Sequence, residues 1–380
     1  MTSAAVAQDA LLPAYARYDV TFVRGEGAWL VDDAGRRYLD LVAGIAVVGL
    51  GHCHPAPRAA AEQQLEELWH VSNLYSTEPM QRLASLLSER LGGARAFFCN
   101  SGTEAIEAAL KYARKATGKP TAVALDGSFH GRTHGALAVT GQPAKRAAFE
   151  PLLPAARFVP LDDADALAAA VGSDTGAILI EPVQGEGGIH PVSPEFAAAA
   201  RALADEHGAL LVFDEIQTGV GRTGTFFAFE QLGVRPDAVT LAKGLANGLP
   251  IGSLLVADGV ADGFAPGDHA STFGGNPVTC AAACAVVEAV DDELLATVLA
   301  KGELLRRGLA ALPAVQGVRG RGLLIAAELD RPAAPVVEDC LNVGVLVCTA
   351  GEHVLRLTPP LTIEERELER GLATLREVLT

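Results

Sequence analysis

Lys243 is the one cation in "TLAKGLANGLPIG", residues 240–252. Val239, Leu241 and Ala242 lead into it like a buried strand, and Gly244, Gly248, Pro250 and Gly252 follow it. A lysine meant for solvent needs no such setting. A lysine meant to act as an amine nucleophile does, because partial burial lowers its pKa and frees its lone pair. Twenty-nine residues earlier, Asp214 follows a similar apolar run in "LLVFDEIQTGVGRTG", residues 210–224. Ligands of open α/β sheets bind beyond the carboxyl ends of strands, so an amine and a carboxylate at two such ends can share one cleft. That pair suits pyridoxal 5'-phosphate: the amine bonds the cofactor's aldehyde and the carboxylate keeps its ring nitrogen protonated. Each residue alone also has a plainer reading, Asp214 as a turn cap and Lys243 as a partly buried surface lysine.

A third group adds a phosphate site. "CNSGTEAIEAALKYARK", residues 99–115, follows an apolar run and opens a helix. Ser101 and Glu104 form an S-x-x-E capping box. Ile106, Ala109, Leu110 and Ala113 make the apolar stripe of a core-facing helix. The tip of such a helix offers free N–H groups and the positive end of its dipole. Gly102 lets a ligand approach and Thr103 adds a hydroxyl donor. An ordinary capped helix would carry the same residues.

The elements that must hold these groups are short apolar runs alternating with helical patterns. "RAFFC" (95–99), "TAVAL" (121–125), "AILIE" (177–181), "ALLVF" (209–213), "AVTLA" (238–242) and "SLLVA" (253–257) read as strands. Their unbroken apolar character marks strands buried on both faces. Helices at 102–117 and 195–207 lie between them, which predicts an α/β fold with a mostly parallel sheet. The last third differs: a long or broken helix near 276–309, "RGRGLLIAAEL" (319–329), a helix near 334–342, "GVLVCTA" (344–350), "HVLRLTPPL" (353–361) and a final helix from Glu364. That is a smaller α+β unit. A hairpin around Asp33–Gly35, in "GAWLVDDAGRRYLDL" (27–41), is expected to pack with it.

Composition narrows the function. The chain has 380 residues, 49% of them hydrophobic and 5% aromatic, enough for a large core of Ala, Val and Leu. Thirty Lys and Arg against 46 Asp and Glu leave a net charge of −16, which argues against nucleic acid or an anionic membrane as partner. "MTSAAVAQDALLPAYARYD" has no signal-peptide pattern. No uncharged apolar stretch is long enough for a membrane span. The six scattered cysteines read as reduced thiols of a cytoplasmic protein. His52 and His54 share a strand face without a third ligand at suitable spacing, so no metal is expected. The patch "DDADA" (162–166) reads as solvated surface. No G-x-G-x-x-G follows a strand, which argues against a nicotinamide-dependent dehydrogenase.

Together, SGTEA, "GSFHGRTHGAL" (127–137), "EPVQGEGG" (181–188), "FDEIQTGVGRTG" (213–224), "LAKG" (241–244) and "STFGGNP" (271–277) resemble the class III pyridoxal-phosphate aminotransferases. The resemblance runs in order from about Val23 to the carboxy terminus. It implies fold type I: a large domain with a mainly parallel seven-stranded sheet, a small α+β domain built from both ends of the chain, and a homodimer with active sites shared across the interface. The expected division is 1–50 packing with the small domain, 51–275 as the cofactor domain, and 276–380 as connecting helix and small domain. The resemblance implies Lys243 as the cofactor lysine and proton carrier, Asp214 at the pyridine nitrogen, Gln217 at the ring's phenolic oxygen and Phe129 stacked on the ring. Ser101, Gly102 and Thr103 are implied at the phosphate, with Thr272 reaching the phosphate of the neighbouring subunit. Arg132 and Arg356 are implied as carboxylate clamps, Glu186 as a switch pairing with Arg356, and Ser271 as a substrate neighbour. "GIAVVGLGHCHP" (44–55) and "SNLYSTEP" (72–79), with an apolar Ile45 where ornithine-specific members tend to carry tyrosine, point to an acylated donor. The expected reaction moves the terminal amine of N2-acetyl-L-ornithine to 2-oxoglutarate. The alternative is another ω-amine: succinyl-diaminopimelate, an acetylated or carrier-linked lysine, ornithine or 4-aminobutyrate.

Overall fold

The computed structural model describes residues 11–260 and 263–380. Residues 1–10, part of both the leader reading and the expected first segment, lie outside the described residues. The centre is a seven-stranded sheet in the order Ala94–Cys99, Gly252–Ala257, Ala238–Leu241, Leu210–Asp214, Thr175–Ile180, Thr121–Leu125, Ala156–Val159. Only Gly252–Ala257 runs antiparallel to its neighbours. All six strands read from the sequence are present. The seventh, Ala156–Val159, sits at an edge and is only partly buried.

Every residue of Thr121–Leu125, Thr175–Ile180 and Leu210–Asp214 is buried, as a sheet covered on both faces requires. Helix Gly102–Thr117 covers one face through Ile106, Ala109 and Tyr112, and helix Pro194–His207 contributes Phe196, Ala197 and Ala200 to the core of the other. The helix near 276–309, expected as long or broken, is broken into two, Pro277–Ala289 and Asp292–Ala310, where Asp291 accepts the Leu294 N–H as a new cap. The first joins the large core through Cys280, Ala283, Val286 and Val287. The second packs with the carboxy-terminal strands and helix Glu365–Val378 around Leu305, Leu309, Leu357 and Leu368. Leu39 from the hairpin Trp29–Asp32 and Arg37–Asp40, and Leu41 just after it, enter that same core. Arg37–Asp40 also pairs parallel with Val345–Leu346.

Among the described residues no helix is long and apolar enough to cross a membrane. His52 bonds Asp40 at 2.7 Å, and His54 caps helix Pro55–Glu67 by accepting from Ala56 N. The patch at 162–166 does more than meet solvent. Asp163 caps helix Ala164–Ala170, and Asp162 accepts from both the N–H and the hydroxyl of Ser193.

Candidate active site

The strand Ala238–Leu241 ends against the carboxyl edge of the sheet, and the chain turns at once into a short 3₁₀ turn, Lys243–Ala246. Lys243 has φ +43°, a left-handed conformation that costs on the order of 1–3 kcal/mol for a side-chain-bearing residue. Only surrounding structure can hold it there. The glycines after it differ in what they do: a Cβ on Gly248 would meet open space, whereas a Cβ on Gly252 would stand 2.3 Å from Ser101 O. Gly252 therefore lets its strand run tight against the cap of helix Gly102–Thr117.

That approach closes a cavity of about 390 Å³ lined by Ser101, Gly102, Thr103, Phe129, Arg132, Glu186, Asp214, Gln217 and Lys243, among others. Nine residues singled out in the sequence thus meet in one place. Burial lowers the Lys243 pKa, with Glu186 acting the other way. Asp214 is buried and held from three sides: His130 Nδ1 at 2.6 Å, the N–H of Ile216 at 3.0 Å and Thr240 Oγ1 at 3.3 Å. Phe129 and its loop hang on Glu181, which accepts from Phe129 N at 2.9 Å and Gly185 N at 3.1 Å. Burial pushes the Glu181 carboxyl up to about 7.

At the helix tip Ser101 Oγ accepts the Glu104 N–H, as expected of the cap. Glu104 reaches back one residue further than a capping box requires, to Asn100 N at 2.8 Å. The Thr103 hydroxyl is engaged with Thr133, at 2.8 Å to its hydroxyl and 3.2 Å from its N–H. The backbone, rather than that hydroxyl, is what this tip offers an anion. A Cβ on Gly102 would stand 2.8 Å from Ile216 Cδ1, so any other residue at the tip would displace the Ile216 side chain beside Asp214.

Arg132 lies at the mouth, 5.5 Å above the Phe129 ring centroid, with Lys145 Nζ 4.8 Å from the same ring. Arg356 is buried behind the wall instead of lining the cavity. Its Nη1 donates to Glu186 Oε1, to Gly185 O at 3.2 Å and to Gln217 Oε1 at 3.4 Å. Glu186 holds its pKa low because of Arg356 and despite burial.

Ser271, Thr272 and Ile45 are not brought into this cavity. Ser271 and Thr272 line a separate cavity of about 640 Å³ with His70, Asn73 and Leu74. One contact links the two: Asn100 Nδ2 donates to Ser271 Oγ at 3.3 Å. Ile45 lines a third cavity, of about 600 Å³, beside Tyr18, Asp40 and Cys348. The sequence reading missed His130, Glu181 and Lys145. His130 and Glu181 lie inside quoted motifs, where a titratable residue next to an assigned one is the available signal.

The chain belongs to the class-III aminotransferases, whose family pattern matches residues 13–379. It is 50% identical over 371 residues to an acetylornithine aminotransferase of Methanopyrus kandleri, covering 96% of this chain and 95% of that one. It is 48% identical over 374 residues to the acetylornithine aminotransferase of Halalkalibacterium halodurans, covering 97% of each. Among solved structures it resembles N-acetylornithine aminotransferase from Stenotrophomonas maltophilia, with TM-score 0.84, 37% identity and coverage of 95% and 96%. It also resembles ornithine aminotransferase from Toxoplasma gondii, a structure with partial occupancy of PLP at the active site, with TM-score 0.93, 31% identity and coverage of 98% and 92%.

Proposed function

We propose that this chain is a pyridoxal-phosphate-dependent aminotransferase that moves the terminal amine of N2-acetyl-L-ornithine to 2-oxoglutarate. The products are N-acetylglutamate 5-semialdehyde and L-glutamate, formed by a ping-pong sequence. The cavity's own residues suit the cofactor: an amine at one strand end, a buried carboxylate at another, an aromatic ring on the wall, and a glycine-tipped helix end for a phosphate. Bound there, pyridoxal phosphate supplies an aldehyde for the donor amine and a ring that takes up the electrons released when the donor C–H bond breaks. Lys243 Nζ, its basicity lowered by burial, would take the proton from the donor's reacting carbon and return it to the cofactor carbon that carried the aldehyde. Asp214, fixed by His130 and Ile216, would hold a proton on the ring nitrogen. Phe129 would face the ring, Gln217 its phenolic oxygen, and Ser101, Gly102 and Thr103 would hold the phosphate.

The observation that carries the substrate reading is the pairing of Glu186 with Arg356 while Arg132, at the mouth, pairs with no carboxylate among the described residues. The reacting end of acetylornithine has no carboxylate, and its single carboxylate lies at the far end, where Arg132 waits. Glutamate brings a second carboxylate next to its reacting amine. Masking Arg356 with Glu186 suits the first donor, and moving Glu186 aside suits the second. An unmasked, buried arginine facing acetylornithine would be an unpaired charge. The full-length identity to acetylornithine aminotransferases supports this donor over free ornithine.

We also propose a cytoplasmic homodimer, with Thr272 and Ser271 serving the partner's cavity. Steady-state glutamate formation from 2-oxoglutarate, compared across N-acetylornithine, ornithine, succinyl-diaminopimelate and 4-aminobutyrate, tests the function. N-acetylornithine should give the highest kcat/KM by at least about tenfold, or about 1.4 kcal/mol. A higher value for free ornithine would overturn the reading.

A further inference from the structure

Arg356 must stay put and stay charged while its partner changes. Its Nη1 is crowded by Glu186, Gly185 O and Gln217, all on loops of the large sheet. Its Nε faces the other way and donates to Cys348 Sγ at 3.3 Å. Cys348 and Arg356 are directly opposed across the antiparallel pair Cys348–Thr349 and Val354–Leu357, so the contact is built into the register. The thiol lies 3.8 Å from Arg356 O, which makes the arrangement reciprocal.

From this geometry we infer that Cys348 is a positioning residue for Arg356: a neutral acceptor that fixes the guanidinium without neutralising it, so that its charge remains free to pass between Glu186 and the substrate carboxylate. Burial pushes the thiol pKa up, with Arg356 pulling it down, so the thiol keeps its proton at neutral pH. A thiol is a weak acceptor. A carboxylate in its place would form a second buried ion pair with Arg356 and compete with both exchanging partners.

The inference rests on the proposed glutamate role of Arg356, and its test separates the two. Cys348→Ser, Cys348→Ala and Cys348→Asp are compared by half-reaction kinetics with L-glutamate and with N-acetylornithine, and by calorimetric binding of the unreactive dicarboxylate glutarate. Cys348→Asp should weaken glutarate binding and slow the glutamate half by more than tenfold, with a change of less than about twofold in the acetylornithine half. Cys348→Ala should weaken both glutarate binding and the glutamate half roughly fivefold, the size of one modest hydrogen bond, and Cys348→Ser should restore them. If Cys348→Asp does not fold, the Ala and Ser pair decides. Equal losses in both half-reactions, or unchanged glutarate affinity in Cys348→Ala, would overturn the inference. If Arg356→Ala leaves glutarate binding and the glutamate half intact, the carboxylate role of Arg356 fails instead.

Discussion

Glu186 and Arg356 meet in a wall where a buried cation needs an anion at every stage of the reaction. Glu186→Ala should therefore favour glutamate over acetylornithine, shifting the ratio of their half-reaction rates by roughly tenfold. Stopped-flow measurement of each half checks this, and equal losses in both would show a merely structural residue. Glu215, next to Asp214, offers a different test. It is buried, accepts from Phe229 N at 2.8 Å, and burial pushes its carboxyl up from 4.5 to about 7. Between those values the folded protein holds a proton that the unfolded chain has lost. The stability this contributes is complete below the lower value and is lost as pH rises through the upper one. Glu215→Gln cannot ionise, so its melting temperature relative to the parent should rise from about pH 5 to about pH 8. A constant difference across that range would contradict the assignment. At this scale the Lys243, Asp214 and Ser101–Thr103 motifs were legible because each sits at a strand end or helix tip that the sequence marks. The contact between His130 and Asp214 was not, because 84 residues and a strand crossing separate them. Nor was the place of Arg356 behind the wall, which depends on how the carboxy-terminal strands pack.

Helix Gly102–Thr117 shows what an element contributes. Its cap, its glycine tip and most of its apolar stripe were readable; Ala105, Ala108 and Tyr112 complete the buried face, and Leu110 is only half-buried. Ser101→Ala removes the side chain that satisfies Glu104 N and should lower unfolding stability by about 1 kcal/mol. Denaturant titration of the apoprotein reads this directly, and an unchanged midpoint would mean the cap is dispensable. Strands buried on both faces announced themselves as unbroken apolar runs. Ala156–Val159 did not, because an edge strand alternates exposure and Arg157 interrupts the run. The break between Pro277–Ala289 and Asp292–Ala310 also lacked a proline or glycine; only the Asp291 cap marks it.

Over the whole molecule, we propose that the boundary between the large domain and the carboxy-terminal unit falls at that break, since the helices on either side enter different cores. The surface carries a net charge of −16, yet Trp69, Leu74, Tyr75 and Phe273 lie more than half exposed. Leu74 lines the cavity that holds Ser271 and Thr272, and Asn276 ties the Trp69 carbonyl to the same stretch of chain. We propose that these large apolar side chains, beside that cavity, form the homodimer interface. Sedimentation velocity should find a dimer, and charged substitutions at Trp69 and Phe273 should give monomers with little activity; fully active monomers would contradict a shared site. The account as a whole rests on a lysine at the carboxyl edge of the sheet as the attachment point of the cofactor. Borohydride reduction of the protein loaded with pyridoxal phosphate, followed by peptide mass mapping, tests that most directly. The account predicts the cofactor's mass on the peptide containing Lys243, and none on protein carrying Lys243→Ala. Stoichiometric label on a different lysine, or undiminished label in that variant, would contradict it.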